Sequence, residues 1–212
     1  MFPVNSSSST STSKNKLKPS MTRDFELNIC REEEQTDISS CKYSAVIGCD
    51  EAGRGPLCGP VVAAAAWVAA DSLIEHGIAD SKATTEAQRE ATYEILVNHP
   101  GVKYAVVRIE HDEIDEINIL QASLKAMRLA CTGVLEQLQN EEEPLDPATC
   151  LCLVDGNKCP QDMPVKTKCI IKVKVRSRNK KKLPIVSLII LFHLLMTGRL
   201  PSIQYRSSQH HR

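Results

Sequence analysis

Fifteen residues, Val46-Ile47-Gly48-Cys49-Asp50-Glu51-Ala52-Gly53-Arg54-Gly55-Pro56-Leu57-Cys58-Gly59-Pro60, limit what this chain can become more than any other stretch. A short apolar run ends in two adjacent carboxylates. A glycine-flanked arginine follows, and then Pro56, Gly59 and Pro60 force a turn into the alanine-rich run Val61 to Ala70. Apolar residues on both sides of a rigid acidic corner read as strand, tight turn, strand. Two carboxylates at a strand end repel unless a cation sits between them, so a divalent metal is the natural occupant. A solvated hairpin turn is the commoner fate of an Asp-Glu pair. One tight turn that carries Asp-Glu, Gly-Arg-Gly and two prolines together weighs against it.

With 212 residues the chain has room for one ordinary domain with a sizeable core, plus tails. A formal net charge of zero conceals an uneven distribution. No acid precedes Asp24 and none follows Asp162, whereas Lys166 to Lys182 contains nine Lys or Arg. Basic arms around an acidic middle suit a polyanion such as nucleic acid, and suit a solvated tail equally well. The nine cysteines are odd in number and lack the paired spacing of most zinc sites. Cys49, Cys150 and Cys152 lie in apolar runs and read as small buried residues. The expectation is a reducing, intracellular setting without a disulfide framework.

Residues 1–42 open on the Ser/Thr run Ser6 to Ser13 and stay polar, which predicts a disordered leader. Its first part is hydroxylated, basic and free of acid. That composition fits an organelle transit peptide as well as a plain leader, and it has no secretory-type apolar core. The expected location is therefore cytoplasmic, or a plastid or mitochondrion, and not secreted. From Tyr43 the pattern becomes globular. Ala45–Cys49 and Val61–Ala70 read as strands. Thr85-x-x-Gln88 reads as a capping box opening a helix to about Asn98. Val102–Ile109 reads as a third strand. Asn118-x-x-Gln121 caps a longer helix whose apolar positions Ile117, Leu120, Leu124, Met127, Cys131, Val134 and Leu138 alternate steps of three and four. Cys150–Val154 and Cys169–Val173 complete five strands. The order predicts an α/β fold, a mixed sheet flanked by helices. If the first and fourth strands lie side by side, Asp50, Glu51 and Asp155 meet at one edge.

Three carboxylates without a nearby His or Cys ligand prefer a hard cation, Mg2+ or Mn2+. Such ions in pairs commonly serve in-line displacement at phosphorus. The stretch Asp50-Glu51-Ala52-Gly53-Arg54-Gly55-Pro56-Leu57-x-Gly59-Pro60-Val61-Val62-Ala63-Ala64 closely resembles the first motif of type 2 ribonuclease H, particularly bacterial ribonuclease HII. Asp80-Ser81-Lys82, the segment from Ile117 to Met127, and Leu153-Val154-Asp155-Gly156-Asn157 resemble three further motifs of that family in the expected order. The resemblance covers roughly residues 43–173. It implies a ribonuclease H-like fold, hydrolysis of the RNA strand in RNA–DNA hybrids, and incision at single ribonucleotides in duplex DNA. It further implies a monomer that needs no protein partner. Asp50, Glu51 and Asp155 match the family's catalytic metal ligands. Gly53, Arg54 and Gly55 match the element that reads the 2′-hydroxyl, the group that separates RNA from DNA. Lys82 and Asn118 match positions near the nucleic-acid backbone; Asn118 as a plain helix cap is about as good a reading.

After Val173 the resemblance stops. The family continues with a Gly-Asp, an alanine-rich helix and a fourth acidic ligand, whereas residues 163–212 contain no Asp or Glu. A basic run, Lys172 to Lys182, is followed by an apolar run, Leu183 to Met196, too short for a spanning helix. Residues 174–212 therefore read as a non-family tail, by a gene-model artefact before a membrane-associated segment. The expectation is a weakly active or inactive chain with a poorly formed C-terminal end. A nucleic-acid-binding remnant lacking a complete metal site is the rival.

Overall fold

The computed structural model describes residues 43–69 and 86–170. The leader, Asp80-Ser81-Lys82, Thr85 and everything past Ile170 lie outside the described residues, so the readings made on them find no structural counterpart here.

Five strands form one sheet: β1 (Ala45–Ala52), β2 (Val61–Val68), β3 (Val102–Ile109), β4 (Cys150–Asp155) and β5 (Lys166–Ile170), in spatial order β3-β2-β1-β4-β5. β1 pairs antiparallel with β2, and β2 with β3, whereas β1–β4 and β4–β5 are parallel. This is the expected mixed sheet. Among the described residues two α-helices, α1 (Glu86–Val97) and α2 (His111–Gln139), pack on it. β2 is buried on both faces from Val61 to Ala66, as an interior strand covered on each side must be.

Alternation along the strands sorts the core into faces. Ile47, Cys49, Ala63, Ala65 and Val107 face α2, while Val62, Ala64, Ala66 and Val106 face Tyr93 and Leu96 of α1. On α2 the expected stripe holds: Met127, Cys131, Val134 and Leu138 are buried, and Ile117, Leu120 and Leu124 partly so. Ala122, Ala126 and Ala130 widen it. Small residues on both surfaces bring the helix axis close to the sheet. At Gly133 the approach leaves little room for a side chain, for a Cβ there would stand 3.0 Å from Ala105 Cβ.

Three differences from the sequence reading matter for the site. β1 runs on to Ala52, so Asp50 and Glu51 belong to the strand and pair with Ala64 and Ala63. β5 (Lys166–Ile170) begins three residues before the expected Cys169, because Lys166 already pairs with Leu151 of β4; residues 171–173 of the expected strand lie outside the described residues. Helical structure begins at His111, seven residues before the cap expected at Asn118.

Candidate active site

The C-terminal ends of β1 and β4 share one edge of the sheet. Their parallel register runs from Ala45↔Cys150 to Cys49↔Val154, so the next residues along, Asp50 and Asp155, are neighbours on adjacent strands about 4.8 Å apart. The start of β2 and the end of β3 lie at the same edge, since Ala52 pairs with Val62 and Val61 with Ile109. α2 opens two residues after β3 ends, which puts its first turns there too.

Glu51 behaves differently from its neighbours. Asp50 is opposite Ala64 on the α1 face of the sheet, whereas Glu51 is opposite Ala63 on the α2 face. Adjacent residues in a strand point to opposite faces. The expected meeting of Asp50, Glu51 and Asp155 is therefore corrected. Among the described residues no three His, Cys, Asp or Glu side chains form a group that could hold a metal. Asp50 and Asp155 are brought together; Glu51 is turned away from them and engaged by Arg54, whose Nη1 donates to Glu51 Oε1 at 2.9 Å. The Glu51 carboxylate is mostly enclosed, and its Oε2 is buried with no hydrogen-bond partner among the described residues. A buried carboxylate oxygen left unsatisfied is costly. A cation is the partner that such an atom calls for, and the available donors are all hard oxygens. In donor chemistry and in unmet need, the edge fits a divalent ion.

The turn that follows is braced at its base. The Glu51 N–H donates to Asp50 Oδ1 at 2.8 Å. Gly53 has φ +94°, and a Cβ on it would lie 2.4 Å from the Pro60 carbonyl oxygen, so only glycine closes the loop at this point. Gly55 is different: a Cβ there would meet nothing within 4 Å among the described residues. The described residues make no demand for glycine at 55.

Asn118 interrupts α2 with φ 66° and ψ 159°, a conformation that side-chain-bearing residues rarely adopt. Its Oδ1 accepts from the N–H groups of Leu120 and Gln121, both at 3.1 Å, and so caps the longer helical part. The capping reading from sequence is thus observed. Ser123, the one polar residue fully buried among the described residues, donates its hydroxyl to the Ile119 carbonyl at 2.9 Å. An ion pair between Lys125 and Glu113, 2.5 Å apart, joins the two sides of the break. The segment before Asn118 was missed in the sequence because Asp112, Glu113, Asp115 and Glu116 mask the helical spacing of Ile114 and Ile117.

Beneath the edge lie buried thiols. Cys49 Sγ is 3.7 Å from the Met127 carbonyl oxygen. The side-chain hydrogen bond with Cys152, followed by burial, pushes the Cys131 thiol far up. For Cys152, the bond with Cys131 pulls down, but the bond with Cys49 and complete burial push up, and the result is well above the usual thiol range. Such thiols stay protonated and serve as core. One cysteine expectation is corrected: Cys159 and Cys169 are joined in a disulfide, because the loop after β4 folds back beside β5 and brings their Cα atoms to 5.6 Å.

The family model for Ribonuclease HII matches residues 47–189. The chain belongs to the ribonuclease HII family. Among curated relatives of that family, Ribonuclease HII of Francisella tularensis subsp. novicida (strain U112) is 45% identical over 115 residues, covering 54% of this chain and 55% of the relative. Ribonuclease HII of Francisella tularensis subsp. holarctica (strain LVS) is 44% identical over the same length, covering 54% of each. The chain thus spans about half the length of the curated relatives it matches. Among solved structures, Bst-RNase HIII in complex with Mn2+ is similar, with a TM-score of 0.54 at 16% identity over 72% of this chain and 52% of that one. A mutant of Bst-RNase HIII matches equally well. That likeness shows the ribonuclease H-like α/β fold, as the family membership leads one to expect.

Proposed function

We propose that this chain is a divalent-metal-dependent endoribonuclease that hydrolyses the RNA strand of RNA–DNA hybrids and incises duplex DNA at single embedded ribonucleotides. The observation that carries this reading is the β1–β4 register, which sets Asp50 beside Asp155 at the edge where the Gly53–Pro60 loop and the start of α2 also lie. Asp50 and Asp155, side by side on β1 and β4, are the residues that would hold Mn2+ or Mg2+, and Glu51, on the other face of β1, would join them only on release from Arg54. When bound, such an ion supplies charge that lowers the pKa of water and steadies the departing oxygen of a phosphodiester.

The chain's own residues supply selection. Gly53 fixes the loop, while no described residue fills the space at Gly55, so a sugar could approach the backbone where any side chain would intervene. That supports Gly53, Arg54 and Gly55 as readers of the 2′-hydroxyl. Asn118 breaks α2 seven residues after its start, and a non-glycine residue held in this conformation is the kind of feature a binding site retains. Lys82 completes the proposed phosphate contacts. The substrate is nucleic acid alone; the enzyme works as an intracellular monomer in ribonucleotide removal and replication.

The test is a DNA duplex with one embedded ribonucleotide, incubated with the recombinant 212-residue protein with and without manganese. Incision at the ribonucleotide that requires manganese is the expected outcome, at a low rate because residues 163–212 supply no further carboxylate. No manganese-dependent incision at any enzyme concentration would overturn the reading.

A further inference from the structure

We propose that Cys159 and Cys169 form a thiol–disulfide exchange site, open to dithiol reductants, whose state sets how firmly Asp155 is held at the acidic edge. Its bearing on catalysis rests on the metal reading of that edge; the exchange site itself does not. The cross-link joins the segment that leaves Asp155 to the strand that pairs with it. Cys169 is opposite Val154 and Ile170 opposite Asp155 in the β4–β5 ladder, and the Gly156 N–H donates to the Ile170 carbonyl at 3.3 Å. Cys159 follows Asp155 by only four residues. With the disulfide formed, Asp155 is anchored by the ladder and by a covalent tie that closes within a few residues of it. With the disulfide broken, β5 keeps its ladder, the packing of Cys169 and Ile170, and the Lys166–Tyr43 contact, but loses the covalent tie to the segment leaving Asp155.

β5 is held less firmly than the interior strands. Lys166 is exposed and Thr167 to Ile170 are only partly buried, with Cys169 and Ile170 packed at the margin of the core. Both cysteines are partly exposed, so a small reductant reaches the bond, unlike the buried Cys49, Cys131, Cys150 and Cys152. The chemistry is a two-electron exchange. A thiolate of the reductant attacks one protein sulfur; the protein S–S bond breaks as a mixed disulfide forms, and the expelled thiolate takes a proton. The second thiol of the reductant then displaces the remaining protein sulfur, which is also protonated. The protein ends with two thiols, and the reductant ends as a cyclic disulfide.

The test compares three preparations of the full chain: purified without reductant, treated with dithiothreitol and freed of it under argon, and the variant C159S/C169S. A non-reducing peptide map of the first should contain a peptide linking Cys159 to Cys169 that dithiothreitol abolishes. Amide hydrogen exchange across Val154–Ile170 should then speed up about tenfold or more on reduction, and the melting temperature should fall by roughly 5 °C. The double variant should match the reduced protein and ignore dithiothreitol. Manganese titration should show tighter binding by the unreduced form. No linked peptide, or unchanged exchange at Val154–Gly156 on reduction, overturns the proposal. Altered exchange with equal manganese affinity overturns its claim on Asp155. If neither form binds manganese, the metal reading of the edge falls, and the exchange data still decide the disulfide's hold on Asp155.

Discussion

Arg54 Nη1 donates to Glu51 Oε1 at 2.9 Å, while Oε2 of the same carboxylate is buried without a partner among the described residues. The arginine is nearly half-exposed and the glutamate mostly enclosed, so the pair is a lid of charge over a carboxylate that faces away from Asp50. A cation that engages Glu51 must compete with this guanidinium.

Competition predicts a sign that few arginine substitutions show. R54A should bind Mn2+ about two- to fivefold more tightly than the parent, the span expected for removing a half-exposed ion pair. In an E51Q background the same change should have no effect, because the shared carboxylate is gone. Calorimetric titration of the four proteins measures both. Equal affinity for R54A and the parent would show that Arg54 does not guard Glu51.

The strand register predicts how Asp50 divides binding from turnover. D50N keeps the shape and a hydrogen-bond acceptor but removes the charge beside Asp155. Cleavage of a ribonucleotide-containing duplex should fall by at least about a hundredfold, while affinity for the hybrid in the absence of metal should stay within about threefold. A comparable fall in both would mean that Asp50 positions nucleic acid rather than the reacting centre.

The two glycines flanking Arg54 should separate stability from function. G53A forces a Cβ to 2.4 Å from the Pro60 oxygen at φ +94°, and should cost roughly 2 kcal/mol or more. G55A adds a methyl to open space and should leave thermal stability unchanged. Its effect should appear only as lost preference for a ribonucleotide over a deoxyribonucleotide in binding. A melting temperature for G55A as low as that for G53A would refute the distinction.

The hairpin of β1 and β2 was legible because breakers, alternation and charge all agree between Val46 and Val62. The long face of α2 was legible because its apolar steps are regular. Other features depended on information that no local pattern carries. That Glu51 and Asp50 face opposite ways follows from treating both as strand residues, and the turn signals at Gly53 to Gly59 disguised how far the strand continues. β5 begins earlier than its apolar run because its start comes from pairing with β4. The link between Cys159 and Cys169 is a matter of where a loop returns, and their spacing in sequence gives no hint of it.

Asn118 was readable as a cap but not as a point of strain, and the two can be measured apart. N118A removes both cap bonds and should destabilise by about 1 kcal/mol. N118G also loses them but relieves the φ of 66°, so it should lie closer to the parent in stability than N118A does. If the residue touches nucleic acid, both variants should weaken hybrid binding alike. Denaturant unfolding and a binding titration on the same proteins decide the ordering.

The buried thiols set a limit on stability in base. Cys131 and Cys152 have folded-state pKa values raised well above the ordinary 9.0: Cys131 by its hydrogen bond with Cys152 and by burial, Cys152, against the downward pull of Cys131, by its contact with Cys49 and by burial. Burial also raises Cys150, and it raises Tyr93 and Tyr104 from the ordinary 10.0. A group raised in the folded state stays protonated there while the unfolded chain ionises. Its contribution is therefore whole below the unfolded pKa and is lost as pH climbs. Below about pH 8 these groups should leave stability flat. Above pH 9 the unfolded state sheds protons that the folded state keeps, and unfolding free energy should fall by about 1.4 kcal/mol per pH unit for each such thiol. C131A/C152A should flatten that alkaline slope while lowering stability at neutral pH through the cavity it opens. Urea unfolding at pH 7, 8, 9 and 10 for the parent and this variant measures both terms, and an alkaline slope identical in the two would place its origin elsewhere.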